Sequence, residues 1–288
     1  MEVILGKTAG FCGGVKRAVE ETKKELEKKA PLYCLGDLVH NKEVMEELTK
    51  KGLTVIQDIK QANDKVIMRA HGVSKQIYEQ AKQKKIQVID LTCPKVLHIH
   101  EQAEYYAQKE YYLFYIGEKG HPESIGTESF CGKHYSLIET EKDILQAIEQ
   151  FKESKLTKVF IFSQTTFHLE KFHFYCKQLK EKIELFGYPN LVLKIENTIC
   201  DATRFRQEET SSLAKQVNTM IILGGKHSSN TNKLYEIAKQ QCSNVIYIEK
   251  VTELTKKSFS KQGTIGVMAG ASTSRESIEN LLKQMREK

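Results

Sequence analysis

Strand-sized apolar blocks punctuate this chain, and the stretches between most of them carry apolar residues at helical spacing. The blocks fall into three quartets, each block running into a loop of small or polar residues. The first quartet reads EVILGKTAGFCGG, LYCLGDLVHN, KGLTVIQ and KVIMRAHG; the second reads QVIDLTCPK, YYLFYIGEKGHPE, HYSLIET and KVFIFSQTT. LKIENTICDAT, TMIILGGKHSSN, NVIYIEK and TIGVMAGAST form the third. Within each quartet the first block ends at a cysteine (Cys12, Cys93, Cys200) and the second at a histidine (His40, His121, His227), 28, 28 and 27 residues apart. The fourth block delivers His71, Thr165 or Ser272. That regularity predicts three related units, with boundaries at 1–92, 93–196 and 197–288.

Strand followed by helix, repeated, predicts an α/β protein: three similar small α/β domains with largely parallel sheets, whose ligands gather outside the carboxyl ends of the strands. The named residues fall at those ends. Val15, Ala18, Val19, Thr22 and Leu26 make one apolar stripe after Cys12, the mark of an amphipathic helix. Pro94 and Asp201, each directly after a cysteine, suit the first turn of a helix.

Composition narrows the class. The 288 residues are 40% hydrophobic, enough for several small cores, and the strongest apolar runs are too short to span a bilayer. The opening MEVILGKTAG does not read as a secretion signal, so a cytoplasmic enzyme is expected. The net charge of +7 comes from lysines in mixed runs such as KKELEKK, which read as solvated helix faces rather than a nucleic-acid surface; the charge equally suits an anionic small substrate.

Seven cysteines without a secretion signal favour metal ligation or catalysis over disulfides. Should the three units pack around a pseudo-threefold axis with their first loops inward, Cys12, Cys93 and Cys200 would converge near three helix N-termini. Such a place favours thiolates and an iron–sulfur cluster with one iron lacking a cysteine. Zinc on three thiolates is the rival, disfavoured because the short pairing of structural zinc sites is absent. Cys34, Cys176 and Cys242 read as core thiols, and Cys131 is left unassigned.

Around that centre GGKHSSNTNK, with GASTS, SQTT, RAHG and LVHN at equivalent strand ends, offers hydroxyl, amide and imidazole groups able to wrap phosphate oxygens. The absence of a Walker-type lysine loop points to a small diphosphate rather than a nucleotide. Ser228, Ser229 and Asn230 read equally well as a helix cap. Glu123, in His121-Pro122-Glu123, is the carboxylate chosen as proton donor, its pKa expected to rise beside an anionic cluster and a diphosphate; otherwise it is a surface acid. His98, His100, His134, His168 and His173 lie off the key positions and read as ordinary.

AGFCGGV, LGDLVHN, RAHGV, DLTCPKV, GHPE, SQTT, CDATRFRQ, GGKHSSNTNKL and AGASTS together resemble the motifs of the IspH or LytB family of 4-hydroxy-3-methylbut-2-enyl diphosphate reductases, in family order over nearly the whole chain. His227, where an asparagine is common, and Met268 before AGAST depart from the pattern. The resemblance implies three domains in pseudo-threefold arrangement around a central [4Fe–4S] cluster, one per chain, held by Cys12, Cys93 and Cys200 with one open iron. It implies substrate contacts at His40, His71, His121, Thr165, Ser228, Ser229, Asn230 and Ser272, and catalytic roles for Glu123 and Thr165. The implied reaction is a two-electron reductive dehydration of (E)-4-hydroxy-3-methylbut-2-enyl diphosphate to isopentenyl and dimethylallyl diphosphates, the last step of the methylerythritol phosphate pathway, with ferredoxin or flavodoxin as electron donor. The alternatives are another three-cysteine cluster dehydratase or radical enzyme, quinolinate synthase-like or diphthamide-type, and, in a different class, an iron–sulfur redox sensor or nucleic-acid binder.

Overall fold

The computed structural model describes residues 2–254 and 263–287. Along the chain run β1 (Glu2–Leu5), α1 (Gly13–Glu27), β2 (Leu32–Leu35), α2 (Lys42–Lys50), β3 (Leu53–Ile56), β4 (Lys65–Met68), α3 (Lys75–Gln83), β5 (Gln87–Asp90) and α4 (Pro94–Gln108). They are followed by β6 (Tyr112–Ile116), α5 (Pro122–Glu128), β7 (Tyr135–Ile138), α6 (Glu141–Ser154), β8 (Lys158–Ser163), α7 (Leu169–Glu184) and β9 (Val192–Ile195). The last elements are α8 (Asp201–Ala214), β10 (Thr219–Leu223), α9 (Ser229–Gln241), β11 (Val245–Ile248), β12 (Thr264–Ala269) and α10 (Arg275–Glu287). Among the described residues no helix is long and apolar enough to cross a membrane.

All twelve apolar blocks become strands, and they form three four-stranded sheets ordered β3-β2-β4-β5, β7-β6-β8-β9 and β1-β12-β10-β11. β1 pairs with β12, β4 with β5 and β8 with β9, each in parallel. The quartets read from the sequence are therefore shifted by one strand. Each sheet takes the second, third and fourth blocks of one quartet and adds the first block of the next. In the last sheet β1, from the start of the chain, fills that place beside β12. A helix connects β4 to β5 and β8 to β9, so each crossover lays its strand parallel to the one it left.

The β3-β2-β4-β5 sheet lies within 1–92 and the β7-β6-β8-β9 sheet within 93–196, while β1 leaves the first segment to join β10, β11 and β12. Packing groups the chain differently, into two compact units. The first is Met1–Leu32, Gly36–Val55 and Asp201–Lys288; the second is Tyr33–Leu35 and Ile56–Cys200.

Of the strongest apolar runs, YYLFYI and MIIL became the inner strands β6 and β10, as expected of parallel strands covered on both faces, whereas LVLKI became β9 at a sheet edge. β6 and β10 are buried along their whole length, whereas the outer β1 and β9 are half-exposed. In the second unit Phe114, Phe151, Val159, Ile161 and Phe172 fill one side of the β6–β8 sheet, and Leu113, Tyr115, Phe160 and Phe162 the other. In the first unit Ile221, Ile265, Val267 and Leu281 pack on one side of the β10–β12 sheet, and Met220, Ile222, Leu234 and Met268 on the other. Burying such side chains contributes about 1.5–3 kcal/mol each. These cores make rigid floors under the loops at the strand ends.

Candidate functional site

In the second unit four strand-end segments carry predicted residues. His121 is the N-cap of α5, and its Nδ1 accepts a hydrogen bond from the Glu123 backbone N–H at 3.1 Å. An Nδ1 that accepts leaves the neutral ring's proton on Nε2, so this imidazole presents a donor there. The His71 ring meets His121 edge to face, with centroids 5.8 Å apart.

Glu123, only 1% exposed, lies in the first turn of α5. It is not a surface acid. One carboxylate oxygen accepts the Thr165 backbone N–H at 2.6 Å and the other the Thr165 hydroxyl at 2.7 Å. Burial pushes its pKa up to about 7, with a smaller push from Glu118, against the opposing hydrogen bonds from Thr165. The reason differs from the sequence expectation: desolvation is the main cause that raises the pKa, before any cluster or phosphate adds negative charge. The Thr165 carbonyl in turn accepts the Cys200 backbone N–H at 3.1 Å. One residue thus joins the buried acid to the backbone of a predicted cluster ligand. Cys93, half-exposed, stands directly before Pro94, the first residue of α4, and its N–H bonds to the Ala70 carbonyl at 3.0 Å, one residue before His71.

In the first unit Cys12 is the N-cap of α1, its sulfur accepting from the Val15 N–H at 3.5 Å, and its own N–H bonds to the Ala271 carbonyl at 3.1 Å. Ser272 follows immediately, and its hydroxyl donates to the His40 carbonyl at 3.1 Å. That carbonyl also lies over Gly225: a Cβ there would come within 2.6 Å of the oxygen, so only glycine permits the approach. LVHN, GGKHSSN and GAST, separate in sequence, meet at this point. Ser228 caps α9 through a bond from the Thr231 N–H at 3.3 Å, which is the cap reading of that residue. Asn230 is not explained by capping. It is 4% exposed and neither atom of its amide has a hydrogen-bond partner, which leaves a donor and an acceptor available to a ligand. His227, the third histidine of the repeat, is exposed, unlike buried His121 and half-buried His40.

The cysteines separate into two groups. Cys12, Cys93 and Cys200 are half-exposed, and Cys34, Cys131, Cys176 and Cys242 are buried, all seven free of disulfides. Burial raises the Cys131 and Cys176 thiols well above their ordinary pKa, and the Cys131 thiol bonds to the Thr127 carbonyl; both are core residues. Among the described residues no group of three or more His, Cys, Asp or Glu side chains is arranged to hold a metal ion.

Sequence reasoning passed over a polar stripe on α8. Thr203, Arg206, Gln207 and Thr210 are all buried on this helix, at the i, i+3, i+4, i+7 spacing that ordinarily marks an apolar face. His100 and His168, read as ordinary, are also buried. His100 stacks on Phe130 at 4.4 Å, and desolvation lowers its pKa to about 4. No apolar pattern marks such residues, since they sit where periodicity predicts hydrophobic ones.

Comparison with known proteins gives consistent results. The family described as LytB protein matches residues 3–286. A 4-hydroxy-3-methylbut-2-enyl diphosphate reductase of Thermoanaerobacter sp. (strain X514) is 38% identical over 292 residues, covering 99% of this chain and 97% of its relative. One from Clostridioides difficile (strain 630) is 36% identical over 285 residues, 98% of both chains. A solved (E)-4-hydroxy-3-methyl-but-2-enyl diphosphate reductase, described as the terminal enzyme of the non-mevalonate pathway, superposes with a TM-score of 0.70 at 36% identity over 100% of both chains. The Plasmodium falciparum E-1-hydroxy-2-methyl-but-2-enyl-4-diphosphate reductase gives 0.84 at 29% identity, over 98% of this chain and 87% of that one. With the family match spanning almost the whole sequence and relatives this similar at full length, the chain belongs to the LytB family.

Proposed function

We propose that this chain is a cytoplasmic reductase of (E)-4-hydroxy-3-methylbut-2-enyl diphosphate, forming isopentenyl and dimethylallyl diphosphates and water, with electrons from ferredoxin or flavodoxin. The observation that carries the reading is the buried Glu123 carboxyl, held by Thr165 and poised near neutral pH. A proton donor is most effective when its pKa lies near the working pH.

The family implies an iron–sulfur cofactor, and the chain's donor set suits one. Cys12, Cys93 and Cys200 are the half-exposed cysteines, each at or directly before the start of a helix, where a thiolate is favoured. We assign them as the ligands of a [4Fe–4S] cluster. When bound, such a cluster supplies low-potential electrons and one iron, not held by cysteine, that acts as a Lewis acid toward the substrate hydroxyl. The residues do the rest. His40, His71, His121, Ser228, Ser229, Asn230 and Ser272 bind the diphosphate and orient the carbon chain, with His121 Nε2–H and the Asn230 amide as donors. Glu123, protonated, delivers a proton through or beside the Thr165 hydroxyl to the departing oxygen. The balance is one substrate, two electrons and two protons to one C5 diphosphate and one water. The three sheets support units at 1–92, 93–196 and 197–288, with β1 exchanged into the last, and the free cysteines suit a reducing compartment.

The test is anaerobic. Purify the chain, measure iron, sulfide and electron paramagnetic resonance, then supply the hydroxymethylbutenyl diphosphate with dithionite-reduced methyl viologen and look for both C5 products. Products from cluster-loaded protein support the assignment. An intact cluster without turnover moves the substrate elsewhere, and no iron uptake after reconstitution overturns the reading.

A further inference from the structure

The loop that leads from β1 to Cys12 is held from the side by α8. Four of its amides go to neighbouring backbone: Gly6 to the Val267 carbonyl at 2.9 Å, Ala9 to Gly6 at 3.1 Å, Gly10 to Ala269 at 3.4 Å and Cys12 to Ala271 at 3.1 Å. Lys7, Thr8 and the Gly10 carbonyl are satisfied differently. One oxygen of Glu209 accepts the Lys7 N–H at 2.7 Å; the other accepts the Thr8 N–H at 2.9 Å and the Thr8 hydroxyl at 2.5 Å. The Arg206 guanidinium donates to the Gly10 carbonyl at 2.6 Å and to the Ala202 carbonyl of its own helix at 2.8 Å.

Residues three apart on a helix share a face, so Arg206 and Glu209 grip the loop together. Both act as ions. Burial opposes ionisation of Glu209, yet the bonds from Thr8 and Lys7 outweigh it and hold its pKa below the ordinary value. Arg206 is 4% exposed, and a buried guanidinium is retained only with strong acceptors. The loop turns at a left-handed position that glycine supplies: Gly10 has φ +100°, and a Cβ there would lie 3.1 Å from Ile278 Cδ1. Charge-assisted bonds are roughly twice as strong as neutral ones, which makes this an expensive support for an ordinary surface turn.

We propose that Arg206 and Glu209 are positioning residues that fix the Lys7–Gly10 backbone, and through it the Cys12 thiol, in the conformation a cluster ligand needs. The inference rests on the reading of Cys12 as a ligand. It does not require either side chain to touch the cluster or the substrate. A ligand loop that is rigid before metal arrives loses less entropy on binding and holds its geometry during electron transfer.

The experiment compares wild type, Arg206→Lys, Arg206→Met and Glu209→Gln. Hydrogen–deuterium exchange of the metal-free chain reads the Lys7–Cys12 amides; iron content and the electron paramagnetic resonance spectrum of the reconstituted chain read the ligand set. Glu209→Gln keeps an acceptor without the charge, and its exchange at Lys7 and Thr8 is expected to rise about tenfold or more, as for loss of a charge-assisted bond. Arg206→Met is expected to lose iron and broaden or shift the resonance, and Arg206→Lys to recover most of both. Unfolding midpoints taken alongside separate local loosening from global loss, and Glu209→Gln, half-exposed, carries the test should Arg206→Met not fold. Unchanged exchange over the loop, or faster exchange with wild-type iron content and spectrum, would overturn the proposal alone. A wild type that takes up no iron would overturn the cluster reading and this inference with it.

Discussion

Replacing Glu123 by Gln separates its chemistry from its packing. The carboxyl has a pKa of about 7, so about half of it is protonated at pH 7, about nine-tenths at pH 6 and about a tenth at pH 8. Turnover that needs the protonated acid falls about tenfold per pH unit above the midpoint, and a bound diphosphate moves that midpoint upward. Gln fits the same space: its carbonyl can accept the Thr165 N–H, and the Thr165 hydroxyl can turn to accept from the amide. The variant is expected to keep its iron and lose about a hundredfold or more in kcat, the usual contribution of a positioned acid. Its alkaline limb should disappear as well.

Stability gives an independent reading. With a folded pKa of about 7 against 4.5 unfolded, the stability Glu123 contributes is fully present below pH 4.5 and is lost as pH rises through 7. The unfolded carboxyl ionises freely over that range and the folded one does not. The difference is about 3 kcal/mol. Glu123→Gln therefore unfolds no more readily than wild type at neutral pH, whereas Glu123→Ala, which strands two Thr165 donors, loses about 1–3 kcal/mol. Steady-state turnover across pH 6–9 and urea unfolding at pH 5 and 8 check both. Wild-type turnover in Glu123→Gln, or an unchanged alkaline limb, would refute the reasoning.

Cys93→Ser is expected to lose or degrade the cluster, while Cys131→Ser, in the core, keeps wild-type iron content; iron and sulfide assays tell them apart. Gly225→Ala places a methyl 2.6 Å from the His40 carbonyl oxygen, a backbone atom with little room to yield, so KM should rise severalfold with iron unchanged; a wild-type KM would show that this approach does not shape the substrate loops. His100, with a pKa lowered by burial to about 4, contributes stability that is present above about pH 6.5 and lost as pH falls through 4, worth about 3 kcal/mol. Over the shared range this runs opposite to Glu123, so His100→Phe should flatten the acid loss and make the alkaline loss visible by urea unfolding.

Much of this was legible because it is local. The twelve strands among the described residues are announced by their apolar blocks, and Cys12, His121 and Ser228 stand at helix starts, where each side chain accepts a backbone N–H of the first turn. The repeat spacing placed cysteines and histidines at strand ends, and the motifs identified the family. Strand partnership was not legible. β1 pairs with β12, more than 250 residues away, and no local preference encodes that; a parallel strand goes where an open edge and its crossover leave room. Burial of polar groups was equally hidden. Glu123 was legible as the proton donor but not as a residue fully withdrawn from water, and His100 read as ordinary; only the packing of α5 and α4 desolvates them and moves their pKa. Arg206 was legible only within CDATRFRQ and Glu209 not at all; their hold on the Lys7–Gly10 loop shows only once α8 is laid against it. What the sequence by itself determined is which elements form and which chemical groups stand at their ends. Tertiary structure alone decided which of those groups lose water and which segments they hold, because desolvation and long-range hydrogen bonding depend on neighbours that the chain order does not specify.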